Sequence, residues 1–169
     1  MDYRFCPVCG GDLAPQIVTL GDPRRPVCQR CGFVSYQNSK PCVGALLVGD
    51  DGRILLTRRA IPPFAGWWDL PGGFLELGEH PEGGLIRELQ EETGLTVEPQ
   101  GLIGIYMDQY GDGGDATLNL MYLARVVAGV LYPASDVDAI AWFRPNELPE
   151  DIAFTCNRRA LDDWRKQLR

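Results

Sequence analysis

The sequence predicts an α+β fold preceded by a small cysteine-rich module. Short apolar runs typical of strands are mixed with two helical segments, without the regular alternation of a parallel α/β protein. Two Cys-x2-Cys pairs lie near the start of the chain. With 169 residues and 45% hydrophobic content, the chain can form one full domain and a small appendage. We therefore expect two domains, residues 1–39 and residues 40–169.

The first domain is predicted to bind a metal through its two cysteine pairs. The ligands would be Cys6, Cys9, Cys28 and Cys31. This spacing is typical of a structural four-cysteine zinc site, and Gly10 and Gly32 suit a tight turn directly after each pair. Two disulfides or an iron–sulfur cluster are the alternatives. We expect one Zn²⁺, because a module of about 40 residues buries little core and needs the metal for stability.

The role expected for this module is structural. It would pack on the larger domain or on a second subunit, the latter giving a homodimer. The alternative is contact with nucleic acid through Arg24, Arg25 and Arg30. The net charge of −7 argues against long nucleic acid as a partner, because phosphates require Lys and Arg.

Composition also bears on location. No run of 18 or more apolar residues is present, so we expect no membrane span. The first residues lack the basic and then apolar layout of a signal peptide, which favours a cytoplasmic protein. Two further cysteines, Cys42 and Cys156, fit neither pair and are expected to be buried free thiols.

The second domain is predicted to open with a hairpin. Residues 37–41 form a linker, and the apolar run 42–48 indicates a buried strand. Residues 50–52, Asp-Asp-Gly, indicate a turn, after which 53–59 would return as the second strand. A loop with two prolines follows at 61–66.

The elements after residue 95 alternate strands with loops and end in a helix. Strands are predicted at 102–109 and 117–127, around a glycine-rich loop at 110–115, and at 139–143. A closing helix is predicted over 157–168, with Leu161, Trp164 and Leu168 on one face.

The most informative segment is a predicted helix over 81–93, preceded by a loop over 71–80. Pro81 favours a helix start and Gly94 a helix end. Glu88, Glu91 and Glu92 are spaced i, i+3 and i+4 and therefore share one helix face. Like charges so close repel, and the arrangement is explained if Mg²⁺ or Mn²⁺ binds among them. The alternative is a solvated acidic face.

This segment resembles the signature of the Nudix hydrolases, Gly-x5-Glu-x7-Arg-Glu-U-x-Glu-Glu-x-Gly-U with U aliphatic. The fixed positions are matched by Gly73, Glu79, Arg87, Glu88, Leu89, Glu91, Glu92, Gly94 and Leu95. The resemblance implies an α/β/α sandwich around a mixed sheet for residues 40–169. It also implies metal-dependent hydrolysis of a pyrophosphate bond in a nucleotide. The cysteine module resembles a zinc ribbon.

The resemblance implies roles for the signature residues. Glu91, Glu92 and the carbonyl of Gly73 would bind the catalytic cation, and Glu88 would bind it or act as the base. Arg87 and Glu79 would pair and hold the loop on the helix. An acidic residue outside the signature, for which Asp112, Asp115, Asp136 and Asp138 are candidates, would help to activate water. His80 is expected to be a solvated loop residue, with a general base as the alternative.

The substrate remains open at this point. A zinc ribbon before the signature resembles the NADH pyrophosphatase branch, but the Ser-Gln-Pro-Trp-Pro-Phe-Pro stretch of that branch is missing, so ADP-ribose or FAD is at least as well supported. Aromatic residues that could stack on a base, or simply pack, are Phe64, Trp67, Tyr106 and Tyr110. The alternatives to such an enzyme are a non-catalytic nucleotide-sensing module with a partner-binding ribbon, and an RNA-end hydrolase.

Overall fold

A computed structural model of the chain describes residues 3–167. These residues divide between Asn38 and Ser39 into two compact units. The first unit is an antiparallel ribbon of two strands, β1 (Leu13–Gln16) and β2 (Arg25–Cys28), with Leu13 opposite Cys28. Apart from its cysteines, the described side chains of this unit contribute little to any buried core.

The second unit contains seven strands and two helices in the described part of the chain. In chain order these are β3 (Lys40–Leu47), β4 (Ile54–Arg59), β5 (Trp68–Asp69), β6 (Gly72–Phe74), α1 (Pro81–Thr93), β7 (Leu95–Gln109), β8 (Ala116–Gly129), β9 (Val137–Phe143) and α2 (Thr155–Gln167). Neither helix is long and apolar enough to cross a membrane.

The strands form two sheets. The larger has the order β6-β3-β8-β7, and it is mixed, because β3 runs parallel to β8 and antiparallel to β6. The smaller has the order β5-β4-β9 and is antiparallel. In the larger sheet Cys42 lies between Phe74 and Asn119, and Gly44 lies between Gly72 and Met121.

Successive residues of a buried strand face opposite ways, so the buried strands carry apolar side chains on both faces. A helix covers each of the two faces. Val43, Ala45 and Leu47 of β3 belong to one apolar core, which includes Leu85 and Leu89 of α1. Leu46 of β3 belongs to the other core, which includes Leu161 and Trp164 of α2. The expected α/β/α sandwich with a mixed sheet is confirmed.

The signature helix has the predicted bounds. Pro81 is its first residue, and the side chain of His80 caps it by accepting a hydrogen bond from the backbone N–H of Glu82 at 3.4 Å. Gly94 ends the helix in the left-handed conformation, with φ of 71°. The closing helix begins at Thr155, two residues earlier than predicted, and Leu168 lies outside the described residues.

The predicted hairpin of 42–48 and 53–59 is wrong. The turn itself forms, because the N–H of Gly49 donates to the carbonyl of Arg53 at 2.8 Å. Beyond the bridge between Val48 and Ile54 the two strands separate, and each enters a different sheet. Successive residues are buried from Cys42 to Leu47 in β3 and from Ile54 to Thr57 in β4, so each strand needs covering on both faces, and a two-stranded hairpin cannot supply that.

Smaller differences concern element ends. Lys40 and Pro41, placed in the linker, begin β3. The predicted loop 71–80 contains the short strand β6, and the strand predicted at 102–109 extends back to Leu95. Three register shifts, after Thr96, Pro99 and Leu102, interrupt that long strand, which explains why its first half lacks a regular alternation.

Candidate functional site

The four predicted zinc ligands converge. The sulfur atoms of Cys6, Cys9, Cys28 and Cys31 lie within 4.8 Å of one another. The Sγ–Sγ distance is 3.7 Å between Cys6 and Cys31 and 3.5 Å between Cys9 and Cys28. A tetrahedral site with Zn–S bonds of about 2.3 Å has sulfur atoms about 3.8 Å apart, so this donor set fits Zn²⁺.

Backbone turns hold the cysteines in place. Gly10 and Gly32 have φ of 70° and 74°, and their N–H groups donate to the carbonyls of Cys6 and Cys28. The N–H groups of Cys31 and Arg30 point at Cys28 Sγ, at 3.5 and 3.4 Å. These donors, led by the N–H of Cys31, lower the pKa of Cys28 to about 6. They favour the thiolate, which is the form that binds a metal.

The second site is a cavity of ≈ 390 Å³ in the larger unit. It is lined by residues of β3, β6, β8 and α1 and by the first residues of α2. Its acidic lining residues are Asp69, Glu76, Glu88, Glu92 and Asp136. Of the described residues that line it, Arg59 is the only one with a basic side chain. The cavity therefore has an excess of negative charge.

Glu92 and Asp69 are the most deeply buried of these carboxylates. Oε2 of Glu92 accepts a hydrogen bond from the N–H of Gly72 at 3.0 Å. Burial raises the pKa of Glu92 well above its ordinary value, and the charges of Asp136, Asp69 and Glu88 add to the increase. A buried carboxylate without a nearby cation is unfavourable when ionised, so this position is suited to a bound cation.

Glu88 lies directly against the backbone of Gly73. A Cβ atom on Gly73 would be 2.5 Å from the Glu88 carboxylate, so a larger residue there would displace that carboxylate. Glu88 Oε1 also accepts from Arg87 at 2.8 Å, and burial raises the pKa of Glu88. The structure thus brings Gly73, Glu88 and Glu92 to one wall of the cavity.

Arg87 joins the signature loop to the helix. Its Nε and Nη2 each contact a carboxylate oxygen of Glu79 at 2.8 Å, and Nη2 donates to the carbonyl of Phe74 at 3.1 Å. The hydrogen bonds from Arg87 lower the pKa of Glu79 to about 2. Such a bidentate pair fixes geometry as well as charge, so the loop carrying Gly73 is held against α1.

Glu91 is placed differently from Glu88 and Glu92. Its side chain is 52% exposed, pairs with Arg87 at 3.2 Å and does not line the cavity. Across residues 3–167, only the four cysteines bring three or more ligand atoms within 4.8 Å of one another. The three signature carboxylates share a helix side, as predicted, but they do not converge as the cysteines do.

Of the four acidic candidates outside the signature, only Asp136 lines the cavity. The loop that carries it is attached to the end of α1, because the N–H of Tyr132 donates to Thr93 and that of Ala134 to Glu92. The other three lie elsewhere: Asp112 is exposed, Asp115 pairs with Lys40 and Asp138 pairs with Arg58.

An aromatic wall closes one side of the cavity. Tyr110 lines it and contacts Phe74 and Phe154, with ring centres 5.2 and 5.6 Å away. Phe64 and Trp67, which we predicted as substrate contacts, do not line the cavity; Phe64 packs behind Phe154 at 5.1 Å. Phe64 thus supports the wall from behind, and Phe74, Tyr110 and Phe154 form its surface.

Tyr106 is a core residue, contrary to its prediction as a substrate contact. It is 4% exposed, belongs to the apolar core under α2, and its hydroxyl contacts Asp163 at 3.1 Å. Its position in the strand alternation directs it towards α2. Cys42 and Cys156 are buried free thiols, as predicted, and both line the cavity.

A buried polar group formed by Arg59, Asp69 and Asn157 was not among the residues predicted from the sequence. Arg59 Nη1 contacts Asp69 at 3.1 Å, and the side-chain amide of Asn157 donates to the other oxygen of Asp69. Burial raises the pKa of Asp69 to about 7, although the Arg59 charge opposes this. An acid inside the apolar run before Pro71 was the available signal.

Comparison with known proteins agrees with this geometry. Residues 38–164 match the model of the NUDIX domain, and residues 4–37 match the zinc-ribbon model described as Nudix N-terminal. A crystal structure of a NUDIX hydrolase from Nitrosomonas europaea superposes with a TM-score of 0.84 and 29% identity, over 98% of this chain and 92% of that one.

Curated relatives point the same way. A MutT-like protein of Streptomyces ambofaciens is 38% identical over 71% of this chain. An ADP-ribose pyrophosphatase of Methanocaldococcus jannaschii is 35% identical over 64%, and the NAD-capped RNA hydrolase NudC of Vibrio atlanticus is 30% identical over 96%. The chain spans 73%, 63% and 59% of the lengths of these three relatives. It belongs to the Nudix hydrolase family and carries the N-terminal zinc ribbon of that family.

Proposed function

We propose that this protein hydrolyses the pyrophosphate bond of a nucleoside diphosphate linked to another group, using Mg²⁺ or Mn²⁺. The observation that carries the proposal is the wall of the cavity where Glu88 and Glu92 lie against Gly72 and Gly73. It supplies hard oxygen ligands next to glycines, whose backbone a phosphate can approach closely.

The residues present fit a divalent cation. Glu92 shares the cavity with Asp69, Glu88 and Asp136, and burial together with the charges of these three carboxylates raises the pKa of Glu92. We propose that Glu88, Glu92 and the carbonyl of Gly73 hold the cation. When bound, it neutralises the pyrophosphate oxygens and lowers the pKa of a water molecule.

The chain's own groups perform the remaining tasks. Asp136 lines the cavity and can accept the proton of the attacking water; Glu88 is the alternative base, in place of its role as a ligand. Arg87 and Glu79 keep the loop of Gly73 at a fixed position relative to Glu88, a role that supports the ligands without touching substrate. Glu91, which pairs with Arg87 at the helix surface, helps to position that arginine and contributes negative charge near the metal.

Substrates of the ADP-ribose, FAD or NADH type are the proposed class. One relative acts on ADP-ribose by its name and another on NAD-capped RNA, and both groups contain a nucleoside diphosphate linkage. A cavity of ≈ 390 Å³ is in the size range of small-molecule sites. A purely nucleotide-sensing module would not need the intact signature, and the chain retains every position of it.

The test is a hydrolysis screen over NADH, ADP-ribose, FAD, dinucleoside polyphosphates and nucleoside triphosphates, with the nucleotide products identified by chromatography. Each compound is assayed after removal of divalent ions with a chelator, and again after addition of Mg²⁺ or Mn²⁺. We expect turnover of a diphosphate-linked nucleoside only when the cation is restored. Full activity in the chelated sample would refute metal dependence, and no turnover of any compound would favour the sensing module.

A further inference from the structure

The floor of the cavity carries a polar pair that the proposed hydrolysis does not use. Thr117 and Asn119 are two residues apart on β8 and therefore point to the same face of the sheet. Both line the cavity, and they are 3% and 7% exposed. Polar side chains this deeply buried are normally satisfied by the protein or by a ligand.

The hydrogen bonds of Asn119 fix the orientation of its amide. Its Nδ2 donates to the carbonyl of Tyr106 at 3.1 Å and to Oγ1 of Thr117 at 2.9 Å. A backbone carbonyl can only accept, so the nitrogen must face Tyr106 and the amide cannot be exchanged end for end. Both amide protons are thereby used. Within residues 3–167 the amide oxygen has no such fixed donor, and it remains as an acceptor at the cavity floor.

Thr117 supplies the complementary group. Its oxygen accepts from Asn119, so its hydroxyl proton is left to donate. The floor thus presents one acceptor next to one donor. The edge of a nucleobase in which an amino N–H lies beside a ring nitrogen offers the opposite pair, and adenine and cytosine both have such an edge.

The aromatic wall of the cavity adjoins this pair. Phe74, Cys42 and Asn119 lie opposite one another on three neighbouring strands, and Tyr110 contacts Phe74 with ring centres 5.2 Å apart. Aromatic side chains stack on every nucleobase, whichever edge it presents. A base lying along Tyr110 and Phe74 would meet the floor at Thr117 and Asn119.

The distance from Thr117 and Asn119 on β8 to the glycines beside Glu88 and Glu92 suits one nucleotide. Gly72 and Gly73 are on β6, and β3 lies between β6 and β8. The glycines and the polar pair on β8 are therefore two strand spacings, roughly 10 Å, apart. We propose that Thr117 and Asn119 recognise the base of the substrate, which carries an amino group next to a ring nitrogen. This inference rests on the proposed function for the assumption that the substrate is a nucleotide.

The test measures binding without turnover, by calorimetry with nucleoside monophosphates at constant Mg²⁺. The probes are AMP, purine riboside 5′-monophosphate, which lacks the amino group, and ribose 5-phosphate, which lacks the base; CMP tests the alternative base. The proteins are wild type, Asn119→Leu and Thr117→Val, with Thr117→Ser as the matched control because it keeps the hydroxyl. Thr117→Val keeps the test valid if Asn119→Leu does not fold.

We expect wild type to prefer AMP or CMP over the probe without the amino group by roughly tenfold or more, since a site built for a hydrogen bond rejects the ligand that lacks it. The tighter of the two identifies the base. Asn119→Leu should abolish this preference, Thr117→Val should weaken base binding, and Thr117→Ser should match wild type. Binding of ribose 5-phosphate should change by less than about twofold in every variant.

Two outcomes would overturn the inference. One is equal binding of AMP, CMP and ribose 5-phosphate by wild type, and the other is an unchanged preference for the amino group in the folded variants. A protein that shows the preference but hydrolyses nothing would refute the proposed reaction and support the base site. Failure of one proposal is therefore distinguishable from failure of the other.

Discussion

The two clusters of anionic side chains in this molecule are built in opposite ways. In the ribbon, four sulfur atoms lie within 4.8 Å of one another, and backbone turns at Gly10 and Gly32 hold them there. In the catalytic domain, Glu88 and Glu92 line an open cavity at separate points, and Glu91 turns towards Arg87 and the solvent. The first cluster is closed around its ligand position and the second is open.

This difference corresponds to the roles that we propose for the two clusters. A structural metal needs all its coordination positions filled by the protein, whereas a catalytic metal must leave positions for substrate and water. The open cluster carries an electrostatic cost, visible in the raised pKa of Glu92 and Glu88. In the closed cluster the two directions coexist: backbone donors lower the pKa of Cys28, whereas the pKa of Cys31 is raised to about 12, because the hydrogen bond from the backbone of Phe33, which lowers it, is outweighed by the neighbouring cysteines and burial.

The largest expected effect comes from Glu92→Gln. This substitution tests whether the open cluster is catalytic, as the comparison assumes. The change keeps the size of the side chain but removes the charge that a cation needs. We expect kcat to fall by roughly three orders of magnitude or more, because lost charge stabilisation at a metal costs several kcal/mol. Without metal, the variant should unfold at the same temperature as the parent or slightly higher, since like charges are relieved.

Glu98→Gln is the matched control for that measurement. Glu98 lies on β7, where it pairs with Arg125 at the surface, and its side chain is half exposed. Its kcat should stay within a few-fold of the parent. A normal rate for folded Glu92→Gln would contradict the catalytic assignment and favour the sensing module.

Cys6→Ser tests the closed cluster. Because three thiolates hold Zn²⁺ less well than four, we expect zinc below one equivalent per chain and a ribbon destabilised by several kcal/mol. Hydrolysis per folded molecule should change only a few-fold. Elemental analysis and thermal unfolding give the two readouts. Cys42→Ser, which removes a thiol outside the cluster, should keep one zinc per chain; equal zinc loss in both variants would count against the four-cysteine site.

Asp69 provides a pH test that sharpens the contrast in electrostatics. Its folded pKa of about 7 lies above the ordinary value of 3.8, so the folded protein binds more protons than the unfolded chain between these values. The contribution of Asp69 to stability is complete below about pH 4 and is lost as the pH rises through 7. Between pH 5 and pH 8, with chelator present, the free energy of unfolding should fall by about 2–3 kcal/mol from this group.

Asp69→Asn should reduce the slope by this contribution, as measured by denaturant unfolding at several pH values, and the raised pKa of Glu92 and Glu88 leaves a remaining slope of the same sign. Asp138→Asn, which breaks the surface pair with Arg58, is the control and should retain the full slope. A slope that is identical in all three proteins would show that Asp69 is not the group responsible.

The smallest effect is expected for Glu79→Gln. The change weakens the bidentate pair by which Arg87 holds the signature loop. Mutation of residues that support metal ligands typically lowers activity or metal affinity by about 10–100-fold. Steady-state kinetics as a function of Mg²⁺ concentration would measure it. Glu147→Gln, at an exposed pair with Arg144, should leave the kinetics unchanged; the same loss in both would remove the special role of Glu79.

The parts of the molecule that the sequence predicted are those governed by local rules. The bounds of α1 follow from Pro81 and Gly94, and the ribbon follows from cysteine spacing. The hairpin failed because strand pairing is decided by residues far apart in the chain, as in the pairing of β3 with β8. The same reason hid Asn119, whose amide gains meaning only beside Tyr106 and Thr117.

The hydrogen bonds at the end of α1 couple the opening of three separate segments of the chain. The last turn of α1 has its carbonyls bound by the loop that carries Asp136, through the N–H groups of Tyr132 and Ala134, while Glu92 accepts the N–H of Gly72. Fraying of this turn would release all three amides together. In hydrogen exchange of the native protein, Gly72, Tyr132 and Ala134 should therefore exchange with one common opening free energy, although they belong to separate segments of the chain.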